Sequence, residues 1–231
     1  MLLNKCFEVD NNLEKYEKQI IDIFETVFIT TWFKTQNEFV IVEDGQNIYV
    51  SIKWTEWSEW SDINASLQIN GHNKAGGYKS NIHKGYRKRA EEVIEALKKR
   101  TNLQIKNVIF TGFSLGGAIS QVCSYLYKKS VCYAFGSPRV SHIKQNLKNI
   151  TVINLEMDSV QYLMSSKMHH LNKSYILKED GALTNDQTYK SKLNKYIAYW
   201  LFPLALRYKV MSNNHSIKKY QEKLEKHCNT K

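Results

Sequence analysis

The stretch that most constrains this chain is residues 108–118, V-I-F-T-G-F-S-L-G-G-A. Val108, Ile109, Phe110 and Thr111 form a β-branched and aromatic run of the kind buried on both faces of a parallel sheet. The run stops at Gly112. A helical spacing begins at Leu115 and continues through Ala118, Ile119, Val122, Tyr125 and Leu126. Between them sits Ser114, in a G-x-S-x-G pattern at a strand–turn–helix junction. A serine hydroxyl is a weak nucleophile and must project from a sharp turn to meet a base and a substrate. Such a turn strains the backbone and crowds strand against helix, so small residues fit at its flanks. It also leaves the Leu115 N–H at a helix N-terminus, where it can hydrogen-bond a developing oxyanion. Ser114 is the candidate nucleophile; the plainer alternative is an ordinary strand–helix turn packed through glycines.

The rest of the chain reads as alternating helices and short apolar strands. Leu13, Tyr16, Ile20, Ile23, Phe24, Val27 and Phe28 have helical spacing, so residues 12–33 are expected to form a helix. Residues 39–42 and 47–53 are β-rich runs around Asp44-Gly45, a hairpin signal with a slightly longer loop. A helix is expected from His83 to about Arg100, a strand over 106–111, a helix over 115–128 and strands over 131–135 and 150–155. Asp158 lies just beyond the last of these. Residues 174–177 suggest a final strand, and His215 starts a last helix with Ile217, Tyr220 and Leu224 on one face. This alternation predicts an α/β fold: a mostly parallel central sheet with helices on both faces. Right-handed crossovers would then align Ser114 and Asp158 along one sheet edge. At 231 residues the chain is read as one domain, residues 1–231, with residues 1–35 as an N-terminal helical segment packed on it.

Charge and cysteine usage narrow the setting. Thirty-three Lys and Arg against 22 Asp and Glu give +11. From Gln161 to Lys231 the count is 13 against 5, or +8. Such an excess suits an anionic membrane surface. No nucleic-acid-binding motif accompanies it, so nucleic acid is not an expected partner. Cys6, Cys123, Cys132 and Cys228 lie far apart with no metal-ligand spacing, so neither a metal nor a cofactor is expected. Cys123 and Cys132 fall in apolar elements and read as buried thiols. Residues 1–10 lack the apolar run of a secretory signal. The expected setting is intracellular and cytoplasmic, with peripheral contact to membrane.

Several motifs now align in order with one family. T-G-F-S-L-G-G-A resembles the T-G-H-S-L-G-G-A of the class 3 lipases, the fungal triacylglycerol lipase-like branch of the α/β-hydrolases. Y-A-F-G-S-P-R-V at 133–140 resembles their F-G-S-P-R-V. His83-Lys84-Gly85-Tyr86 is similar to H-x-G-F, and N-L-E-M-D-S-V at 154–160 to N-x-x-D-x-V. His215-Ser216 with Tyr220 is similar to H-S-x-x-x-Y. Ile52 to Thr55, followed by Glu59-Trp60, resembles F-R-G-T followed by D-W. The likeness runs from about residue 38 to 225. Phe113 stands where the family has His, Trp54 where it has Gly, and Glu59 where it has Asp.

The resemblance implies an α/β-hydrolase-like fold and a serine hydrolase acting on acyl esters, with acylglycerols or phospholipids as the expected substrates. It gives Ser114 as nucleophile, Asp158 as acid and His215 as base, in the chain order typical of α/β-hydrolases. His169 and His170 remain rivals for the base. Leu115 N–H and, by family position, Thr55 would hold the oxyanion. Trp57, Trp60, His83 and Phe113 are expected near the substrate, with residues 56–65 as a mobile cover; the plainer reading of the tryptophans is core. The apolar run Tyr196 to Leu206 is either a buried helix or an interfacial anchor flanked by Lys190, Lys192, Lys195, Arg207 and Lys209. Two alternatives stay open. One is a small-ester or thioester hydrolase on the same fold. The other is a catalytically weak or inactive lipase-fold protein that binds anionic membranes.

Overall fold

A computed structural model describes residues 20–29, 34–44, 46–53, 81–99, 107–162, 168–185 and 215–229. Its centre is one eight-stranded sheet whose strands lie in chain order. They are β1 (Ile20–Ile29), β2 (Lys34–Asp44), β3 (Asn47–Ile52), β4 (Asn107–Phe113), β5 (Ser130–Phe135), β6 (Ile150–Leu155), β7 (Ser174–Leu177) and β8 (Leu183–Thr184). The strands from β3 to β7 pair in parallel. Antiparallel partners close both ends: β1 and β2 at one, β8 at the other. Among the described residues three α-helices accompany the sheet: α1 (Lys84–Lys98), α2 (Leu115–Leu126) and α3 (Ile217–Asn229).

The period-2 alternation of a strand divides the apolar residues between two cores. On one face Ile48, Val50, Val108, Phe110, Cys132, Ala134, Ile150 and Val152 pack under α1 and α2. On the other, Tyr49, Ile109, Phe113, Phe135, Ile153 and Leu155 meet Tyr220 and Leu224 of α3. Both faces of β4 are thus buried, which explains its unbroken apolar run. Successive parallel neighbours joined by right-handed crossovers must carry their helices on one face, and α1 and α2 do lie together. The opposite face is covered by the C-terminal helix instead. Burying Leu224 contributes about 2 kcal/mol towards holding α3 in place.

The helix expected over 12–33 is not what forms over residues 20–29. They make β1, paired antiparallel with β2 from Ile20↔Val42 to Ile29↔Lys34. Six of the ten residues (Ile20, Ile21, Ile23, Thr26, Val27 and Ile29) are β-branched. Their stiff side chains disfavour helix and suit a pleated strand, and the pairing with β2 overrides the helical spacing. The β2–β3 connection is also shorter than expected, since Asp44 pairs with Asn47. β2 is longer than the 39–42 run suggested and β8 was not expected; β4 to β7 and the three helices fall within a few residues of their sequence-derived bounds.

Candidate active site

Three parallel strands and one helix converge on a buried cluster. The turn after β4 carries Ser114 at φ 55° and ψ −121°. It is the one non-glycine residue with positive φ among the described residues. Such a conformation costs on the order of 1–3 kcal/mol and persists only where the surroundings impose it. Here the Ser114 N–H donates to the Phe135 carbonyl at 2.9 Å, and the Ser114 carbonyl accepts from Ala118 N–H at 3.1 Å. The elbow is also wedged against β3: a Cβ added to Gly116 would lie 2.0 Å from the Ile52 carbonyl oxygen. Glycine is required there because α2 starts directly against the β3 backbone. Ser114 Oγ is buried and has no hydrogen-bond partner among the described residues. Leu115 opens α2, so its N–H lacks an intrahelical acceptor and sits at the positive end of the helix dipole.

Asp158 follows the end of β6. Its N–H donates to the Leu155 carbonyl at 3.1 Å, closing a tight turn, and its side chain is fully buried. A carboxylate in that position needs donors, and it has three. Val160 N–H donates to Oδ1 at 2.9 Å. His215 Nδ1–H and the Tyr220 hydroxyl both donate to Oδ2 at 2.7 Å. The Tyr220 hydroxyl in turn accepts from Leu155 N–H at 2.9 Å, tying α3 to the end of β6. Burial first, then the charge of Asp158 and its hydrogen bond, push the Tyr220 phenol well above its ordinary value, so it stays a donor.

His215 stands immediately before α3 and is 4% exposed. Its imidazole stacks on the Phe113 ring, with centroids 4.3 Å apart and planes at 19°. Phe113 also meets Tyr220 edge-on at 5.3 Å. Gly136, after β5, closes the cluster at φ +54°. A Cβ there would lie 2.8 Å from His215 Cε1, 2.8 Å from Phe113 Cε2 and 3.0 Å from Asp158 Oδ2.

The structure therefore brings Ser114, Asp158 and His215 to one end of the sheet. Phe113 is buried behind the imidazole, so its contacts are with His215 and Tyr220 rather than with an open surface. His83 is buried too. Its backbone N–H donates to the Val140 carbonyl at 2.9 Å, and its ring tilts against Tyr86 at 4.9 Å. Burial, with His142 adding to it, pushes His83 down to about 4, which keeps it neutral near pH 7. His169 is held through backbone bonds to Val140 and Ser141. His170 Nδ1 lies 3.5 Å from Gln121 Nε2, and burial first, then Arg139, pushes its ring down to about 3. The carboxylate of Asp158 bonds His215, whereas His170 lies against Gln121. Thr55, Trp57, Trp60, the proposed cover over 56–65 and the apolar run 196–206 lie outside the described residues. The sequence reading missed the second bond of Tyr220 and the closing role of Gly136. The H-S-x-x-x-Y spacing signalled the first; the G-S-P turn was the sole trace of the second. Among the described residues no three His, Cys, Asp or Glu side chains gather where they could hold a metal ion.

A strained serine on a strand–helix elbow, with a buried Asp after a neighbouring strand paired to a His before the C-terminal helix, is an arrangement compatible with an α/β-hydrolase site. The model of the family Lipase (class 3) matches residues 49–165, just over half the chain, and the chain belongs to that family. It is a lipid ester hydrolase of the carboxylic ester class. Ser114 and Asp158 fall inside the matched span and His215 beyond it. Among solved structures, the chain is similar to the Rhizomucor miehei triacylglyceride lipase, at 18% identity over 82% of this chain and 78% of that one, with a TM-score of 0.53. It is also similar to a deletion variant of the Rhizomucor miehei lipase in its propeptide complex, at 17% identity over 85% and 72% of the two chains, with a TM-score of 0.52. At these identities the likeness is one of fold. No curated protein matches the chain. Among the described residues no helix is long and apolar enough to cross a membrane.

Proposed function

We propose that the chain cleaves acylglycerol or phospholipid esters through a Ser114–His215–Asp158 triad and an acyl-enzyme. The observation that carries this reading is the buried 2.7 Å bond from His215 Nδ1–H to Asp158 Oδ2, with Phe113, the residue before the strained Ser114, stacked on the same imidazole. That bond leaves Nε2 as the basic nitrogen. His215 takes the Ser114 proton as Oγ attacks the ester carbonyl, then gives it to the departing alcohol oxygen. Water, deprotonated by the same imidazole, attacks the acyl-enzyme and releases the acid with Ser114 restored. Asp158, held by Val160 N–H and Tyr220, keeps the tautomer and stabilises the imidazolium. Leu115 N–H and, from the family likeness, Thr55 stabilise the oxyanion; losing one such donor costs roughly 3–4 kcal/mol in the transition state. Trp57 and Trp60 are assigned to the acyl side of the site on the same likeness.

The +8 balance of residues 161–231 supports docking on an anionic membrane surface. Cys123 and Cys132, buried thiols that form no disulfide among the described residues, support an intracellular setting. The test is hydrolysis of a 4-nitrophenyl ester and of phospholipid vesicles by the wild type, Ser114→Ala, His215→Ala and the double variant. Each single change should lower turnover by roughly 10⁴–10⁶-fold, and the double variant should be no worse. Activity that survives in His215→Ala and disappears in His169→Ala or His170→Ala would move the base elsewhere.

A further inference from the structure

We propose that Phe113, the residue before the nucleophile, is a positioning residue whose ring face stabilises the His215 imidazolium during turnover. This inference rests on the triad reading above. Two rings 4.3 Å apart and 19° from parallel place the imidazole over the face of the phenyl group. The face of a benzene ring carries negative quadrupole charge and attracts a cation within about 6 Å of its centroid, more strongly when both are out of water. Both are: Phe113 is 1% exposed and His215 4%.

The stack is also fixed in place. Tyr220 braces the Phe113 ring edge-on, and Gly136 packs so close that a Cβ on it would fall 2.8 Å from both Phe113 Cε2 and His215 Cε1. The imidazole is therefore confined between a carboxylate at Nδ1 and an aromatic face beneath it. Among the described residues the titratable groups shown to meet this cluster are Asp158 from the turn after β6 and Tyr220 from α3. Asp158 Oδ2 binds both His215 Nδ1 and the Tyr220 hydroxyl. β4 contributes Phe113 and the turn after β5 contributes Gly136, neither of them titratable. Positive charge appears on this ring when Ser114 gives up its proton, so the phenyl face contributes more in the transition state than in the resting enzyme. That is the condition for raising turnover rather than affinity.

The experiment replaces Phe113 in the full chain with 4-fluoro-, 3,5-difluoro- and pentafluorophenylalanine. These keep the ring and nearly its shape while draining charge from its face. Melting temperatures monitor the fold. The expected result is a stepwise fall in kcat, about tenfold across the series, with little change in KM. A ring that serves shape alone would leave kcat flat across the series. If the pentafluoro protein does not fold, the slope through the first two fluorinated proteins decides. His215→Ala in the same assay separates the two failures. If it stays active, the triad and this inference fall together; if it is inactive and the fluorine series is flat, this inference alone is overturned.

Discussion

Replacing Tyr220 with Phe removes one oxygen and breaks two bonds. The hydroxyl donates to Asp158 Oδ2 at 2.7 Å and accepts from Leu155 N–H at 2.9 Å, and Tyr220 is fully buried. A hydrogen bond to a charged group contributes about 1.5–3 kcal/mol, and a buried N–H left without an acceptor costs about 1–3 kcal/mol. Allowing for relaxation, the variant should lose about 2–4 kcal/mol, a large part of the roughly 5–15 kcal/mol that holds a domain together. For a chain of this size that lowers the melting temperature by about 5–15 °C. Asp158 keeps Val160 N–H and His215, so turnover should fall about tenfold rather than vanish. An alkaline signature accompanies the loss. Tyr220 is raised above its ordinary value of 10.0 in the folded state. Above that pH the unfolded chain releases this proton while the folded chain keeps it, so folding stability declines as pH rises. The wild type should therefore lose stability more steeply above about pH 10 than Tyr220→Phe does. Urea unfolding at neutral and alkaline pH, with kcat measured on the same preparations, checks all three outcomes. A variant within 0.5 kcal/mol of wild type with the same alkaline slope would refute the reasoning, since ~0.5 kcal/mol is the scatter of surface substitutions.

Three further outcomes follow from the site. Gly136→Ala adds a methyl 2.8 Å from His215 Cε1 at a backbone of φ +54°, so kcat should fall at least about tenfold by displacing the base, read by steady-state kinetics on folded protein. Gly116→Ala would drive a Cβ to 2.0 Å from the Ile52 carbonyl oxygen, so α2 must part from β3; its unfolding free energy from urea titration should drop by more than about 3 kcal/mol. His83 is lowered from 6.5 to about 4, so the wild type loses stability as pH falls through that window, by up to roughly 3 kcal/mol. His83→Gln should flatten that part of the stability profile in acid unfolding titrations.

The elements nearest the site were the most legible in the sequence. Val108 to Phe113 is apolar on both faces because α2 and α3 cover both sides of β4, and a fully buried strand leaves an unbroken run. The elbow was legible because its steric demands fall on neighbouring residues. Asp158 and His215 are different: no local pattern separates a catalytic Asp after a strand from a turn Asp, and the motif order of the family supplied them. β1 was misread because Ile20, Ile23, Phe24 and Val27 fit a helical spacing while the same residues are β-branched or aromatic, and pairing with β2 decided between the two. The Phe113–His215 stack was not legible at all. It joins residues distant in the chain through the docking of α3, and a phenylalanine beside a catalytic serine reads equally well as a substrate contact.

The central claim is that Ser114 is a nucleophile activated by His215, and covalent labelling tests it most directly. The protein is treated with a fluorophosphonate probe and the modified peptide is mapped by mass spectrometry. The account predicts one adduct, on Ser114, absent from Ser114→Ala and formed at least about a hundredfold more slowly in His215→Ala. A folded wild-type protein that takes up no probe, or a Ser114→Ala protein that labels as fast as the wild type, would contradict it.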